Sequence, residues 1–198
     1  MIGNVSRETT DRLAAYESLI IRWNARINLV APSTIANLRD RHIQDCLQIA
    51  RHAQPDGGLW ADLGSGGGLP GIVLAIVFAH TRTEFNLIES DQRKAAFLRT
   101  VIRELGLSRA TVLPRRIEDV KPLKAAYVSA RALAPLPRLM AYLMQHMAHD
   151  GEAWVMKGQR WQEELQAAKV EWNFNAEILP SQTMTGAAIL KINGVQHA

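Results

Sequence analysis

The chain carries one cysteine in 198 residues, Cys46, so an internal disulfide framework is impossible. A zinc site built on thiolates needs several of them and is excluded for the same reason. The longest apolar run, Ile72 to Ala79, is far too short to span a membrane. Met1 to Arg12 has no apolar core of the signal-peptide kind. No internal repeat, low-complexity tract or long run of like charge interrupts the sequence. These absences lead to the expectation of a cytoplasmic protein in a reducing setting, with no membrane partner and no metal. What is present is ordinary for a globular chain: 47% hydrophobic residues, 21% charged residues and a net charge of +4. A mildly basic chain is compatible with a nucleic-acid partner but does not by itself select one.

The first 55 residues read as helical. Leu13, Tyr16, Ile20, Trp23 and Ile27 recur at spacings of three and four, which predicts one buried helix face. Thr9, Thr10 and Asp11 are the expected N-caps. Pro32-Ser33-Thr34 breaks the pattern, and a second helix is predicted from about Ile35 to Ala53. From Gly58 the signals alternate. Strands are predicted at Leu59–Leu63, Phe85–Ile88, Ala110–Leu113, Tyr127–Ala130 and Gly151–Met156. Helices are predicted at Pro70–His80, Asp91–Leu105, Pro135–Ala148 and Trp161–Lys169, and two more strands between Phe174 and Ile192. This alternation predicts an α/β fold with a doubly wound, mostly parallel sheet of seven strands. The last two strands lack a helix between them, so at least one should run antiparallel. The expected organisation is a helical extension over 1–55 and a catalytic domain over 56–198, forming one compact unit.

The strongest local signal is Asp62-Leu63-Gly64-Ser65-Gly66-Gly67-Gly68-Leu69-Pro70-Gly71, between a predicted strand and a predicted helix. Residues without Cβ let the backbone bend sharply and a ligand approach closely. Gly66, Gly68 and Gly71 satisfy the G-x-G-x-x-G spacing of dinucleotide-binding proteins. Gly64, Gly66 and Gly68 equally form the G-x-G-x-G loop of Rossmann-like methyltransferases. Glu89 follows the second strand and is placed to accept hydrogen bonds from a ribose. Both NAD and S-adenosylmethionine carry that ribose, so the loop and Glu89 together indicate a nucleoside cofactor without naming it.

Further segments make the chain recognisable. They are Asn28-Leu29-Val30 with Thr34, Arg41-His42-Ile43-Gln44-Asp45, the glycine loop with Leu69-Pro70-Gly71, Arg116-Ile117-Glu118, Ser129-Ala130-Arg131-Ala132 and Met156-Lys157-Gly158. In this combination the sequence resembles the bacterial 16S ribosomal RNA guanine-N7 methyltransferases, the glucose-inhibited division protein B family, over almost its whole length. The resemblance implies a class I methyltransferase fold, S-adenosyl-L-methionine as cofactor, and 16S ribosomal RNA of the small ribosomal subunit as substrate. It implies that Gly64 and Leu69 contact the methionine part of the cofactor, with Ser65, Gly66 and Gly68 completing the loop. Ile117 and Glu118 would flank the adenine, and Arg131 would lie at the active-site end of the fourth strand. The family often has Ala or Pro where this chain has Gly67, Phe where it has Leu69, and Ser where it has Cys46.

The chemistry agrees with that resemblance. Guanine N7 presents a lone pair, so methyl transfer to it needs no general base, and alignment should supply most of the acceleration. Pyrimidine C5 methylation needs a cysteine nucleophile after the fourth strand, whereas Cys46 precedes the glycine loop. Exocyclic-amine methylation uses an Asn/Asp-Pro-Pro-aromatic tetrapeptide, where this chain reads Ser129-Ala130-Arg131-Ala132.

Arg131 and Lys157 are the candidate catalytic residues, each able to make a single contact to guanine O6 or to a phosphate. A bidentate contact to O6 and N7 would block the reacting atom. Arg41, His42 and Asp45 share one helix face at three- and four-residue spacing, so they can contact one another. Arg41 and His42 are candidates for orienting RNA, although a helical His beside Asp is commonly a structural hydrogen bond. Arg115 and Arg116 are candidates for phosphate contact, while Arg93, Lys94, Arg99 and Arg103 read as a solvated face. The protein is expected to act as a monomer. Rival readings are a small-molecule methyltransferase, a nicotinamide-dependent oxidoreductase and a non-catalytic RNA-binding module.

Overall fold

The computed structural model describes residues 6–198. The first five residues of the expected extension, which begin the segment read as lacking a signal-peptide core, lie outside the described residues.

Seven strands form one sheet in the order β3-β2-β1-β4-β5-β7-β6. The strands are β1 (Leu59–Leu63), β2 (Glu84–Ile88), β3 (Ala110–Leu113), β4 (Ala125–Arg131), β5 (Met147–Lys157), β6 (Trp172–Pro180) and β7 (Ala188–His197). Strands β1 to β5 pair in parallel, and β7 runs antiparallel to both β5 and β6. The last strand therefore inserts between its two predecessors, and the expected mostly parallel sheet with a reversed final strand is what forms. The chain leaves β1 in one direction toward β2 and β3, and later restarts at β4 on the other side. That reversal leaves a crevice between β1 and β4 at their C-terminal ends, the place where open α/β sheets bind ligands. Register brings Leu63 beside both Ile88 and Ala130, Ile88 beside Leu113, and Arg131 beside Met156, so five strand ends share one edge.

Helices α1 (Arg7–Asn24), α2 (Gln44–His52), α3 (Gly71–Val77) and α4 (Gln92–Glu104) pack on one face, and α5 (Leu136–His146) and α6 (Trp161–Ala168) on the other. Trp60, fully buried, stacks against Phe78, Phe85 and Tyr127 at centroid distances of 5.9, 5.7 and 5.1 Å. Leu13, Tyr16, Leu19 and Ile20 of α1 belong to the same hydrophobic cluster, so the N-terminal helices cover one face of the sheet.

Several boundaries differ from the sequence expectation. The N-cap of α1 is Ser6, whose Oγ accepts from the Thr9 amide at 3.1 Å, and Thr9 to Asp11 lie inside the helix. Ile27 is buried but lies beyond the helix end. The expected helix over Ile35 to Ala53 is a 3-10 segment (Pro32–Asn37), a π turn (Arg39–Ile43) and then α2. In the π turn the Gln44 amide bonds the carbonyl of Arg39, five residues back. The wider turn alters the faces presented by Arg41 and His42. Helix α3 stops at Val77, short of His80, and α5 passes directly into β5 at Met147, which pairs with Ala125. Pairing with a neighbouring strand there outweighs the helical propensity of the 147–148 stretch.

Candidate active site

The glycine loop is held from below and from the side. The Ser65 amide bonds the Ile88 carbonyl at 2.9 Å, and the Gly66 amide bonds Glu89 Oε2 at 2.8 Å. Gly64 has φ +65°, a backbone that favours glycine, and a Cβ there would lie 2.6 Å from Leu133 Cδ1 and push that side chain aside. Tyr16 donates from its hydroxyl to the Gly67 carbonyl at 2.5 Å, fastening α1 to the crown of the loop. Beneath the loop, Asp62 accepts from Ser65 Oγ and from Ser129 Oγ, both at 2.6 Å, and Ser129 accepts from Trp60 Nε1 at 2.9 Å. Burial pushes the Asp62 carboxyl up to about 6, against the opposing pull of these hydroxyls and the Gly71 amide.

Above the loop is a cavity of about 530 Å³, of the size that takes a small cofactor. Gly64, Ser65, Gly66, Leu69 and Glu89 line it from the first two strand ends. Arg115, Arg116, Ile117 and Glu118 line it from the third, Arg131 from the fourth, and His42 from the helical extension. The Glu89 carboxylate is buried and fixed, since its Oε1 also accepts from the Asp91 amide at 2.7 Å. Each oxygen retains a lone pair for a sugar hydroxyl. The Ser65 hydroxyl is turned to Asp62, so only the loop position of Ser65 serves the cavity.

Three predicted residues fall elsewhere. Gly68 does not line the cavity: its φ is +87°, and a Cβ would lie 2.5 Å from Ile72 Cγ1, so it is a packing glycine. The Arg41 side chain is exposed and its carbonyl, not its guanidinium, meets Arg131. The Lys157 amine sits in a neighbouring recess, bonded to the Ala134 carbonyl at 2.6 Å and to Glu164 Oε2 at 2.7 Å. Lys94, expected on a solvated face, instead lines the cavity.

Arg131 is the centre of the site. Its Nη2 lies 2.8 Å from His42 Nδ1, 3.2 Å from the Arg41 carbonyl and 3.4 Å from Asp45 Oδ2, and its Nη1 lies 3.6 Å from Cys46 Sγ. A guanidinium only donates, so His42 Nδ1 must accept. The proton then sits on His42 Nε2, which donates to Thr34 Oγ1 at 2.8 Å, and Thr34 donates to the Ala31 carbonyl at 2.7 Å. Burial, with the Arg131 charge adding to it, holds His42 down to about 4. The expected mutual contact of Arg41, His42 and Asp45 is replaced by convergence of His42 and Asp45 on Arg131. Burial pushes the Cys46 thiol up to about 12, which leaves it protonated and a poor nucleophile.

Among the residues not foreseen for the site are Leu29, Leu133, Arg138 and Tyr142, all lining the cavity. Tyr142 donates to Glu118 Oε1 at 2.5 Å, and this bond, followed by weaker help from Arg138, holds the Glu118 carboxyl low. Arg138 and Tyr142 stand four apart on α5, a spacing visible in the sequence, but nothing there reveals that α5 leans on Glu118. Ala132 adopts φ +51°, which turns the chain after β4 and brings Leu133 against Gly64.

The donor set fits a nucleoside cofactor: a glycine bend open to close approach, a fixed carboxylate at the next strand end, and apolar Ile117, Leu29 and Leu133 for a flat ring. Among the described residues no helix is long and apolar enough to cross a membrane, and no group of His, Cys, Asp or Glu is placed to hold a metal ion.

A family model described as rRNA small subunit methyltransferase G matches residues 9–190. The chain is 52% identical over 195 residues to the ribosomal RNA small subunit methyltransferase G of Paracoccus denitrificans, covering 98% of this chain and 100% of that one. The protein of the same name from Gluconobacter oxydans is 48% identical, with 96% and 95% covered. Among solved structures, an S-adenosylmethionine-dependent methyltransferase from Aquifex aeolicus superimposes with TM-score 0.63 at 11% identity, covering 89% of this chain and 97% of that one. The ribosomal protein L11 methylase of Lactobacillus delbrueckii gives TM-score 0.60 at 16% identity, with 76% of each chain covered. At these identities the structural likeness shows the fold alone.

Proposed function

The chain belongs to the rRNA small subunit methyltransferase G family, and from that premise we propose that it methylates N7 of one guanine in 16S ribosomal RNA, using S-adenosyl-L-methionine. The observation that carries the reading is the meeting of the Gly64–Gly66 bend, Glu89 and Ile117 in one cavity at the β1/β4 crevice. When bound, the cofactor supplies a methyl group on a sulfonium sulfur: the N7 lone pair forms the new bond as the sulfur–carbon bond breaks, the sulfur departs as a neutral thioether, and the positive charge passes to the guanine ring.

Gly64 and Leu69 are assigned to the methionine part, Glu89 to the ribose hydroxyls, and Ile117 with Glu118 to the adenine. Ser65 and Gly66 shape the bend. No proton leaves N7, so no residue is asked to act as a base, and neutral His42 is assigned a positioning role on Arg131. A lone cation near the guanine would oppose the charge that develops there. The Asp45 carboxylate beside Arg131 removes that objection and leaves Arg131 able to donate one bond to O6 or to a phosphate. Arg115 and Arg116 are assigned to phosphate contact, joined by Lys94 and Arg138 at the same cavity. Arg41, whose side chain is exposed, is assigned the same role. Lys157 is assigned to holding the turn after β4 through Ala134.

An A-form duplex hides guanine N7 in a deep and narrow groove, so the substrate is a loop, an irregular fold or a flipped base within the small subunit. With a ribosomal substrate, the protein is assigned to the cytoplasm. Of the expected extension, residues 6–55 are assigned to one compact unit with 56–198, because Tyr16 ties the extension to the loop, and the unit is assigned as a monomer.

The purified protein, labelled methyl donor and small subunits from cells lacking the gene provide the test. Nucleoside mass analysis should find 7-methylguanosine. Label on small metabolites in place of RNA would favour a small-molecule methyltransferase. Affinity for NADH exceeding that for S-adenosylhomocysteine would favour an oxidoreductase. RNA binding indifferent to cofactor, with no methylated nucleoside, would favour a binding module.

A further inference from the structure

Beside the cofactor cavity, at the C-terminal ends of β4 and β5, lies a second recess of about 450 Å³. The two spaces share one wall, formed by Arg131, Ala132 and Leu133. An in-line transfer needs donor and acceptor on opposite sides of the moving group, so the spaces that hold them must meet at one boundary. Pro135, Met156 and Met184 give the second recess apolar surface against which a flat base can lie.

Glu164, in the first turn of α6, lines the same recess. Its Oε2 accepts from Lys157 Nζ at 2.7 Å and from the Leu136 amide at 2.8 Å. Its Oε1 accepts from no described residue. One oxygen thus fixes the carboxylate, and the other is left to a ligand. Lys157 is only 9% exposed and acts here as a positioning residue that holds Glu164 in place. Building on the methyltransferase reading above, we propose that this recess takes the flipped target guanine and that Glu164 accepts hydrogen bonds from its N1–H and 2-amino group.

Two chemical consequences support the assignment. A carboxylate only accepts, and guanine presents donors at both N1 and the 2-amino group. Adenine has a lone pair at N1 and no 2-amino group, so it would leave the carboxylate unpaired and facing a lone pair. The second consequence concerns rate. When N7 gains the methyl group its lone pair becomes the new bond, no proton leaves, and the ring becomes a cation. N1–H and the 2-amino group then donate more strongly, so their bonds to a fixed carboxylate strengthen toward the transition state.

Small subunits reconstituted with guanosine or inosine at the methylated position test this, since inosine keeps N1–H and lacks the 2-amino group. Wild-type protein should methylate guanosine faster than inosine, on the order of tenfold or more, the expected effect of one charge-assisted hydrogen bond. Glu164→Ala should be slower on guanosine and bring the ratio close to one, with the affinity for S-adenosylhomocysteine unchanged. Glu164→Gln, which keeps an acceptor for the Leu136 amide, covers a loss of folding in the alanine variant and should give a lower ratio than wild type. A wild-type ratio near one, or the wild-type ratio persisting in the folded variants, overturns the proposal. Wild-type protein that methylates neither RNA defeats the methyltransferase reading itself, which keeps the two failures apart.

Discussion

Arg131 Nη2 and His42 Nδ1 stand 2.8 Å apart, and because a guanidinium cannot accept, the bond exists only while His42 is neutral. Protonated His42 would face a cation across that gap. The helical extension therefore holds the end of β4 through a contact that acid should break.

The first prediction follows from that bond. His42 falls from an ordinary 6.5 to about 4 in the folded protein, so between these values the unfolded chain binds more protons than the native one. Stability from this group is then complete above about pH 6.5 and is lost as pH falls toward 4. Asp62 works in the opposite direction, but it is common to wild type and variant and cancels in a comparison. Wild type should lose stability relative to His42→Gln as pH falls from 6.5 to 4, read as urea midpoints. A gap that does not change with pH would show that His42 is not the titrating group.

Arg131 should matter to alignment more than to cofactor binding. Arg131→Ala is expected to slow methylation of small subunits by on the order of a hundredfold, the scale of a misplaced reacting group. Affinity for S-adenosylhomocysteine should change far less. Equal losses in turnover and affinity, measured by rapid mixing and by calorimetry, would move Arg131 to the cofactor.

Glu89 should show the reverse split. Its two oxygens hold the Gly66 and Asp91 amides and are assigned to the ribose, so Glu89→Ala should weaken S-adenosylhomocysteine binding by about tenfold or more. Glu89→Gln, with one acceptor replaced by a donor, should fall between. Calorimetric titration with unchanged affinity in both variants would remove Glu89 from the cofactor site.

Tyr16 tests whether the extension supports the loop. Tyr16→Phe leaves the buried Gly67 carbonyl without its donor and should cost about 1–3 kcal/mol in urea unfolding. Because the bond crosses from α1 to the loop, cofactor affinity should weaken alongside. Stability within a few tenths of a kcal/mol of wild type would mean that the loop stands without the extension.

The strands were legible where burial is simple. Leu59–Leu63 and Ala110–Leu113 are read residue for residue from short, mostly apolar runs: the first is buried along nearly its whole length, and the second alternates buried Ala110 and Val112 with exposed Thr111. The ends of α3 and α5 were overrun: after Val77 the chain enters a turn closed by the Thr81 amide on the Phe78 carbonyl, and at Met147 strand pairing takes over from the helix. The π turn at Arg39–Ile43 was invisible for a related reason: residues at i+4 and i+5 differ in spacing by one, and only the hydrogen bond decides between them.

Ile117 and Glu118, in a 3-10 turn beyond β3, were indicated only by the family resemblance. The glycine loop, Glu89 and Arg131 are legible because each belongs to a local pattern at a strand end, and strand ends of a parallel sheet share one edge. Lys157 belongs to such a pattern too, yet its amine is drawn to Glu164 on the following helix. Arg138, Tyr142 and Leu133 carry no local signal, since their place depends on how α5 and the turn after β4 lean across the sheet.

By itself the sequence determined the alternation of strand and helix, the sharp bend at Gly64 and the chemistry of a nucleoside pocket, all written in neighbouring residues. Only the tertiary structure decided which charges stay free. Arg131 with His42 and Asp45, and Lys157 with Glu164, are partners brought together across the fold, and pairing in a low-dielectric interior depends on distance in space, which local spacing does not encode.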